Sequence, residues 1–332
     1  MLKMKRFCAV ALTAAMVTGM LAGCGSNGSS SAGSSSSESS GGTKKIGYVN
    51  LADTDVFCMA RETALNKLVE GSDYQVSYTD GNNDNQKQID QVNAFLSKGV
   101  KALIVVPSDS EAIVPAITAA NNAKVPVICF GIKANSGDYV FVGSDSYEAG
   151  KIQGEYMAEK LPQNAKILYC AGTAGLEHSA LRRNGFKEAL AAKGRTDVTI
   201  LDDQDCDYTK DKAMQTCDAW IQTYSNGAGG VTFDAIVCAN DQMALGCMES
   251  LKGAGVLTNK GEILISGVDG TDDAVKAVSD GYMAQTVLQD AAGQAKAAYE
   301  TVQKMIAGES VEKEILVPFQ SITKDNVADY QK

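Results

Sequence analysis

Histidine is almost absent from this chain: His178 is the only one in 332 residues. A nucleophile–base–acid triad needs a histidine held beside its serine or cysteine, so a single one leaves little room for that chemistry. No Walker A loop, HExxH or GxSxG occurs either, and no catalytic residue is expected. The nine cysteines show no CxxC and no metal-ligand spacing, so neither a metal nor a cofactor is expected. Positive charge is scarce as well. Thirty Lys and Arg against 40 Asp and Glu leave a formal charge of -10, which argues against nucleic acid as a partner. The apolar run over residues 9–20 is too short for a membrane span.

That run has a different reading. Lys3, Lys5 and Arg6 precede it, and the small residues Ala22 and Gly23 follow, which is the pattern of a signal peptide over residues 1–23. Leu21-Ala22-Gly23-Cys24 resembles the bacterial lipobox, which implies cleavage before Cys24 and lipid on its sulfur. Removing Lys3, Lys5 and Arg6 takes the charge from -10 to -13, so the mature body is acidic. Residues 25–43 are nearly all Ser and Gly and read as a flexible tether. At about 5–6 Å times the square root of residue number, such a tether reaches on the order of 25 Å. The expected location is therefore extracytoplasmic, at the membrane through lipid on Cys24.

Most cysteines sit in apolar context. Cys129, Cys170 and Cys238 fall inside apolar runs and Cys247 beside Met248, so all four read as small buried hydrophobes. Cys206 and Cys217 leave a disulfide open without requiring one.

The chain is organised around FDAIVCANDQMALG, residues 233–246. Residues 234–239 form a short apolar run, and Met243, Ala244, Leu245 and Met248 repeat at helical spacing. A buried parallel strand thus runs directly into a helix, with Asn240 and Asp241 at the switch. Ligands of open α/β sheets bind there, outside the carboxyl ends of the strands. Asn240 can donate and accept, which suits ligand contact, while Asp241 suits a helix cap; capping by both is the competing reading.

From residue 44 onward strands and helices alternate. Strands are expected at 45–51, 74–79, 101–106 and 125–130, with helices at 57–69, 86–97 and 110–123. The pattern restarts with strands at 165–170, 198–201, 235–239 and 263–268. ALIVVPSDSEAIVPAI and AIVCANDQMALGCME share a strand, a polar turn with Asp, and a helix. These are two similar doubly wound α/β domains with parallel sheets, facing each other across a cleft. Residues 44–144 with 290–318 are expected to form the N-terminal lobe, and 145–289 with 319–332 the C-terminal lobe. Several crossings between them would make a hinge able to close on a ligand.

VKALIVVPSDSEAIVPAI, VPVICF, SGVDGTDDAVKAV and DGYMAQTVLQDAAGQAKAA, together with the stretch above, resemble periplasmic sugar-binding proteins of ABC importers. The likeness is to the ribose- and galactose-binding type, with its type I fold, and covers residues 45–317. It implies a monomer that captures a sugar or sugar-like ligand and delivers it to an ABC transporter permease. A sensor of the same fold, for instance for a furanosyl signal molecule, is the alternative; a regulator of that fold would carry a DNA-binding segment where this chain has signal and tether.

The same resemblance implies a ligand set. Asp55 falls where a polar sugar contact follows the first strand, and Phe57 where an aromatic ring stacks on the sugar. Arg182 falls where an arginine donates to sugar oxygens; Asn240, Asp269 and Gln289 line the second lobe; His178 lies near a polar contact. Each has a plainer alternative. Phe57 could be core, Arg182 could pair with Glu177 or Glu188, Asp269 could be a turn or cap, Gln289 a solvated strand end and His178 plain surface. The expectation for Arg182 is a hydrated guanidinium in an open cleft, with Arg183 pointing elsewhere. Two departures put ribose and galactose themselves in question. Gly131-Ile132-Lys133 stands where the family offers Asp-Arg or Asn-Lys, and Cys206 stands where an aromatic often covers the other sugar face.

Overall fold

The computed structural model describes residues 43–257 and 259–331. The signal peptide, Cys24 and all but the end of the tether lie outside the described residues. Five strands come first: β1 (Lys44–Asn50), β2 (Tyr74–Asp80), β3 (Ala102–Val105), β4 (Val127–Phe130) and β5 (Val140–Gly143). Five more follow: β6 (Lys166–Ala171), β7 (Thr199–Asp205), β8 (Ala235–Cys238), β9 (Leu264–Asp269) and β10 (Gln285–Leu288). Two short ones, β11 (Glu314–Leu316) and β12 (Gln320–Thr323), come last. The helices are α1 (Val56–Val69), α2 (Asn85–Ser97), α3 (Val114–Asn122), α4 (Ser146–Lys160), α5 (Glu177–Ala192), α6 (Lys210–Thr223), α7 (Asp241–Gly253), α8 (Asp272–Asp280) and α9 (Ala291–Ala307).

Two six-stranded sheets result, in the orders β11-β5-β4-β3-β1-β2 and β12-β10-β9-β8-β6-β7. The first is wholly parallel; in the second only β12 is antiparallel. Central strands such as ALIV of β3 and AIVC of β8 are buried throughout, because helices cover both faces of a doubly wound sheet. Alternate residues then feed opposite cores. Ala102 and Ile104 pack on one face while Leu103 and Val105 pack on the other. In the second sheet Ile236 and Cys238 face one core, and Ala235 and Val237 the other.

The chain passes between the sheets between β5 and α4, between β10 and α9, and between β11 and β12. Each link is a few residues long, which is the geometry of a multi-crossover hinge.

Several expected bounds shift for local reasons. The strand expected at 198–201 runs to Asp205, because β7 is an edge strand whose Asp202 accepts from Trp220 on one face while Asp203 and Asp205 pair with Arg183 on the other. The helix expected from 110 begins at Val114, since Asp109 ties the backbone N–H groups of Glu111 and Ala112 into a turn first. The strand expected from 125 begins at Val127; Pro126 lacks an N–H but accepts from Leu103 N at 2.9 Å. Cys58, Cys129, Cys170, Cys206, Cys217, Cys238 and Cys247 are all free and buried, so Cys206 and Cys217 do not pair.

Helices α4 and α5 approach backbone to backbone. A Cβ at Gly150 would lie 1.8 Å from the Arg182 carbonyl, and one at Gly185 would lie 2.2 Å from that of Tyr147. Only glycine permits this approach, and it sets how far α5 reaches toward the carboxyl ends of the strands.

Candidate functional site

The carboxyl ends of both sheets open onto one cavity of about 670 Å³, a size suited to a small organic ligand. Asp55, Phe57, His178, Arg182, Asn240, Asp269 and Gln289 all line it. On the first-lobe side, Asp55 is the N-cap of α1 and accepts from Cys58 N at 2.7 Å. That cap starts the helix so that Phe57 lies in its first turn, half-buried against the cavity rather than in the core.

On the other side, β8 ends at Cys238 and α7 begins at Asp241. Asn240 is the cap: its side-chain oxygen accepts from Met243 N at 3.0 Å, and its amide donates to Tyr208 O at 3.1 Å. Capping and cavity lining are therefore combined in Asn240. Asp241, expected to be the cap, is not. It is fully buried and accepts from Thr271 N (2.8 Å), Thr271 Oγ1 (3.1 Å) and Thr286 Oγ1 (2.7 Å), bracing the ends of three strands. Burial pushes its carboxyl up to about 7.

Asp269 ends β9 with a φ of 128°, a region that side-chain-bearing residues rarely enter. Burial, then the neighbouring Asp241, push its carboxyl well above the ordinary range. It is a strand terminus at the cavity, not a cap, since Thr271 caps α8. Gln289 is only 8% exposed and accepts from Arg182 Nη2 at 3.0 Å, so it is not a solvated strand end.

Arg182 is 5% exposed, which overturns the hydrated guanidinium expected from the sequence. Its Nη1 donates to the Ala239 carbonyl, and its Nε has no partner. It pairs with neither Glu177 nor Glu188; the latter accepts from Tyr147 OH instead. Arg183, one position on, faces the surface and pairs with Asp203 and Asp205 at 3.1 and 2.8 Å.

His178 is not plain surface. Its ring stacks on that of Tyr208, centroids 5.2 Å apart, and burial, reinforced by Arg182 and Arg61, pushes its pKa down to about 3. The imidazole is therefore neutral across physiological pH. Tyr208 answers the question left at Cys206. Cys206 turns fully into the core, and the aromatic ring that lines the cavity on this side is that of Tyr208, held at φ 57° on the loop after β7.

Tyr208 and Arg61 are among the lining residues that escaped the sequence reading. Tyr208 follows an edge strand whose end had been placed too early. Arg61 sits on α1 with Cys58, Glu62 and Leu65 on the buried face, and a charge at that period was the available signal.

A family model for the periplasmic binding protein domain matches residues 46–310. The chain is similar to the ribose import binding protein of Haemophilus influenzae, 32% identical over 277 residues covering 83% of this chain and 90% of the relative. An ABC transporter solute binding protein from Mycobacterium smegmatis, solved with bound glycerol, superimposes with a TM-score of 0.80 at 28% identity, covering 87% of this chain and 96% of that one. An ABC transporter solute binding protein from Bacillus halodurans, solved with bound myo-inositol, gives a TM-score of 0.79 at 27% identity, covering 88% and 99%.

Proposed function

This chain belongs to the periplasmic binding protein family, and from that premise we propose that it captures one sugar or polyol in the cavity and delivers it to an ABC importer. The observation that carries the reading is the meeting of Asp55, Phe57, Arg182, Asn240, Asp269 and Gln289 in one cavity between the two sheets. A polyol ring offers an apolar C–H face and a rim of hydroxyls. Phe57 and Tyr208 match the face, and the amides, carboxyls and guanidinium match the rim. Residues 44–144 with 290–318 and residues 145–289 with 319–332 act as the two lobes, and the protein works as a monomer.

A thermal-shift panel of ribose, xylitol, myo-inositol and galactose tests the binding, and calorimetric titration gives its stoichiometry. One site per chain is expected, with the sugar recovered unchanged; consumption of a sugar that raises the melting temperature would contradict a pure receptor. Delivery is tested by uptake of the same labelled sugar in a deletion strain, where loss of uptake is expected.

The lipid anchor is read from Leu21 to Cys24 in the sequence. Cys24→Ala should release the protein from washed membranes without changing its melting temperature. A variant that stays on the membrane would show a different anchor.

A further inference from the structure

We propose that Arg61 is a ligand-contacting, specificity-setting residue, so that the bound molecule is gripped by one guanidinium from each lobe, Arg61 and Arg182. This rests on the sugar-binding reading of the same cavity.

Arg61 is 3% exposed and lines the cavity. Its guanidinium lies between two rings, 5.0 Å from the Phe57 centroid and 4.3 Å from that of Phe130. Its hydrogen bonds are poor for a charged donor: Nη1 to the Phe130 carbonyl at 3.3 Å and Nη2 to Cys58 Sγ at 3.1 Å, with no partner for Nε. Among the described residues neither Arg61 nor Arg182 forms an ion pair. A buried cation without a carboxylate partner is unfavourable for folding. Two of them, one on α1 and one on α5 and each with an orphaned N–H, line this one cavity. The arrangement makes sense when a ligand rich in oxygen acceptors completes both.

Gly131 supports the assignment. It follows β4 at the cavity wall with a φ of 80°, and a Cβ there would lie 2.3 Å from Arg61 Nη1. The space that a side chain at position 131 would take is thus filled from the helix by Arg61. The residue that looks like a lost polar contact in the sequence is the room in which a contact from α1 sits. Arg61 fixes which hydroxyl pattern fits the first-lobe side of the cavity.

Arg61→Met keeps the length and apolar stem but removes the fork and its charge. Titration uses whichever sugar of the panel of ribose, xylitol, myo-inositol and galactose most raises the melting temperature of the wild type. At least a tenfold loss of affinity is expected in Arg61→Met, while the unliganded variant melts no lower than wild type. An affinity within twofold of wild type in the folded variant overturns the proposal. So does an unliganded variant that melts several degrees lower, because the guanidinium is then a structural part of the lobe. If no sugar of the panel moves the wild type, the sugar reading falls, and the unliganded comparison still decides Arg61.

Discussion

In the first lobe the ends of the central strands are tied by a neutral amide. Gln88, fully buried on α2, donates to Asn50 O and Val106 O at 2.8 Å each and accepts from Ser108 N and Oγ at 2.9 Å. The second lobe also has a buried glutamine. Gln153 on α4 donates to Cys238 O and Ser266 Oγ at 3.0 Å each. Beside it stands an acid, Asp241, holding Thr271 and Thr286. Strand ends are thus braced by an amide in one lobe, at β1 and β3, and by an amide plus a titrating carboxyl in the other, at β8, β9 and β10. The comparison teaches that sheets of the same order need not share electrostatics at their ligand-facing ends, and that pH acts on the two lobes unequally.

The sharpest break of that comparison is Asp241→Ala. It leaves the buried Thr286 hydroxyl and two part-buried donors of Thr271 without their acceptor, and at about 1–3 kcal/mol for each unsatisfied group partly relieved by water and relaxation, a loss of roughly 3 kcal/mol is expected in urea unfolding. A loss below that of a surface substitution would show that water replaces the carboxyl.

Arg182→Ala comes next. A hydrogen bond from a charged donor contributes roughly 1.5–3 kcal/mol, so sugar affinity should fall about ten- to a hundredfold by calorimetry. The unliganded variant trades the hydrogen bonds to Ala239 O and Gln289 Oε1 for relief of a buried, unpaired charge, so its melting temperature should change little.

The pH dependence follows from the acid itself. The folded-state pKa of Asp241 is about 7, above the roughly 3.9 of an unfolded aspartate. Its contribution is therefore fully present below about pH 4 and is lost as pH rises through about 7. Glu62, pushed up to about 7 by burial and Asp53, and Asp269 act in the same sense. Melting temperature should decline from mildly acid to neutral pH, and Asp241→Asn should flatten part of that decline. An unchanged slope in Asp241→Asn would assign the effect to the other two acids.

The smallest effect is expected at Arg183. Its pairs with Asp203 and Asp205 are partly exposed, and such pairs contribute about 0–1 kcal/mol. Arg183→Ala should bind sugar as wild type does; a larger loss there than in Arg182→Ala would mean that α5 is turned differently against the cavity.

The alternation of elements was legible because buried parallel strands are continuous apolar runs between amphipathic helices. The restart of that alternation after residue 144 made two sheets legible as well. What escaped depended on contacts between distant residues. Nothing local distinguishes Asn240 from Asp241 as a cap; the threonines of positions 271 and 286 draw the aspartate inward and leave the cap to its neighbour. Gly131 looked like an empty place because its occupant, Arg61, comes from a helix about seventy residues earlier. The polar half of β7 resembled a loop because an edge strand has one side free of the core, and with its end Tyr208 was lost from the aromatic set.

All seven described cysteines are buried; burial holds Cys58, Cys129 and Cys238 above the ordinary thiol range, while hydrogen bonding to Cys170 and Thr216 holds Cys206 below it. Shielded, protonated sulfur is a poor nucleophile toward maleimides. A cysteine introduced at Asp211, exposed on the rim of the cavity, would be the one exposed sulfur among the described residues. A fluorophore attached there would turn each capture event into an optical signal, with burial alone shielding Cys206 from the same reagent.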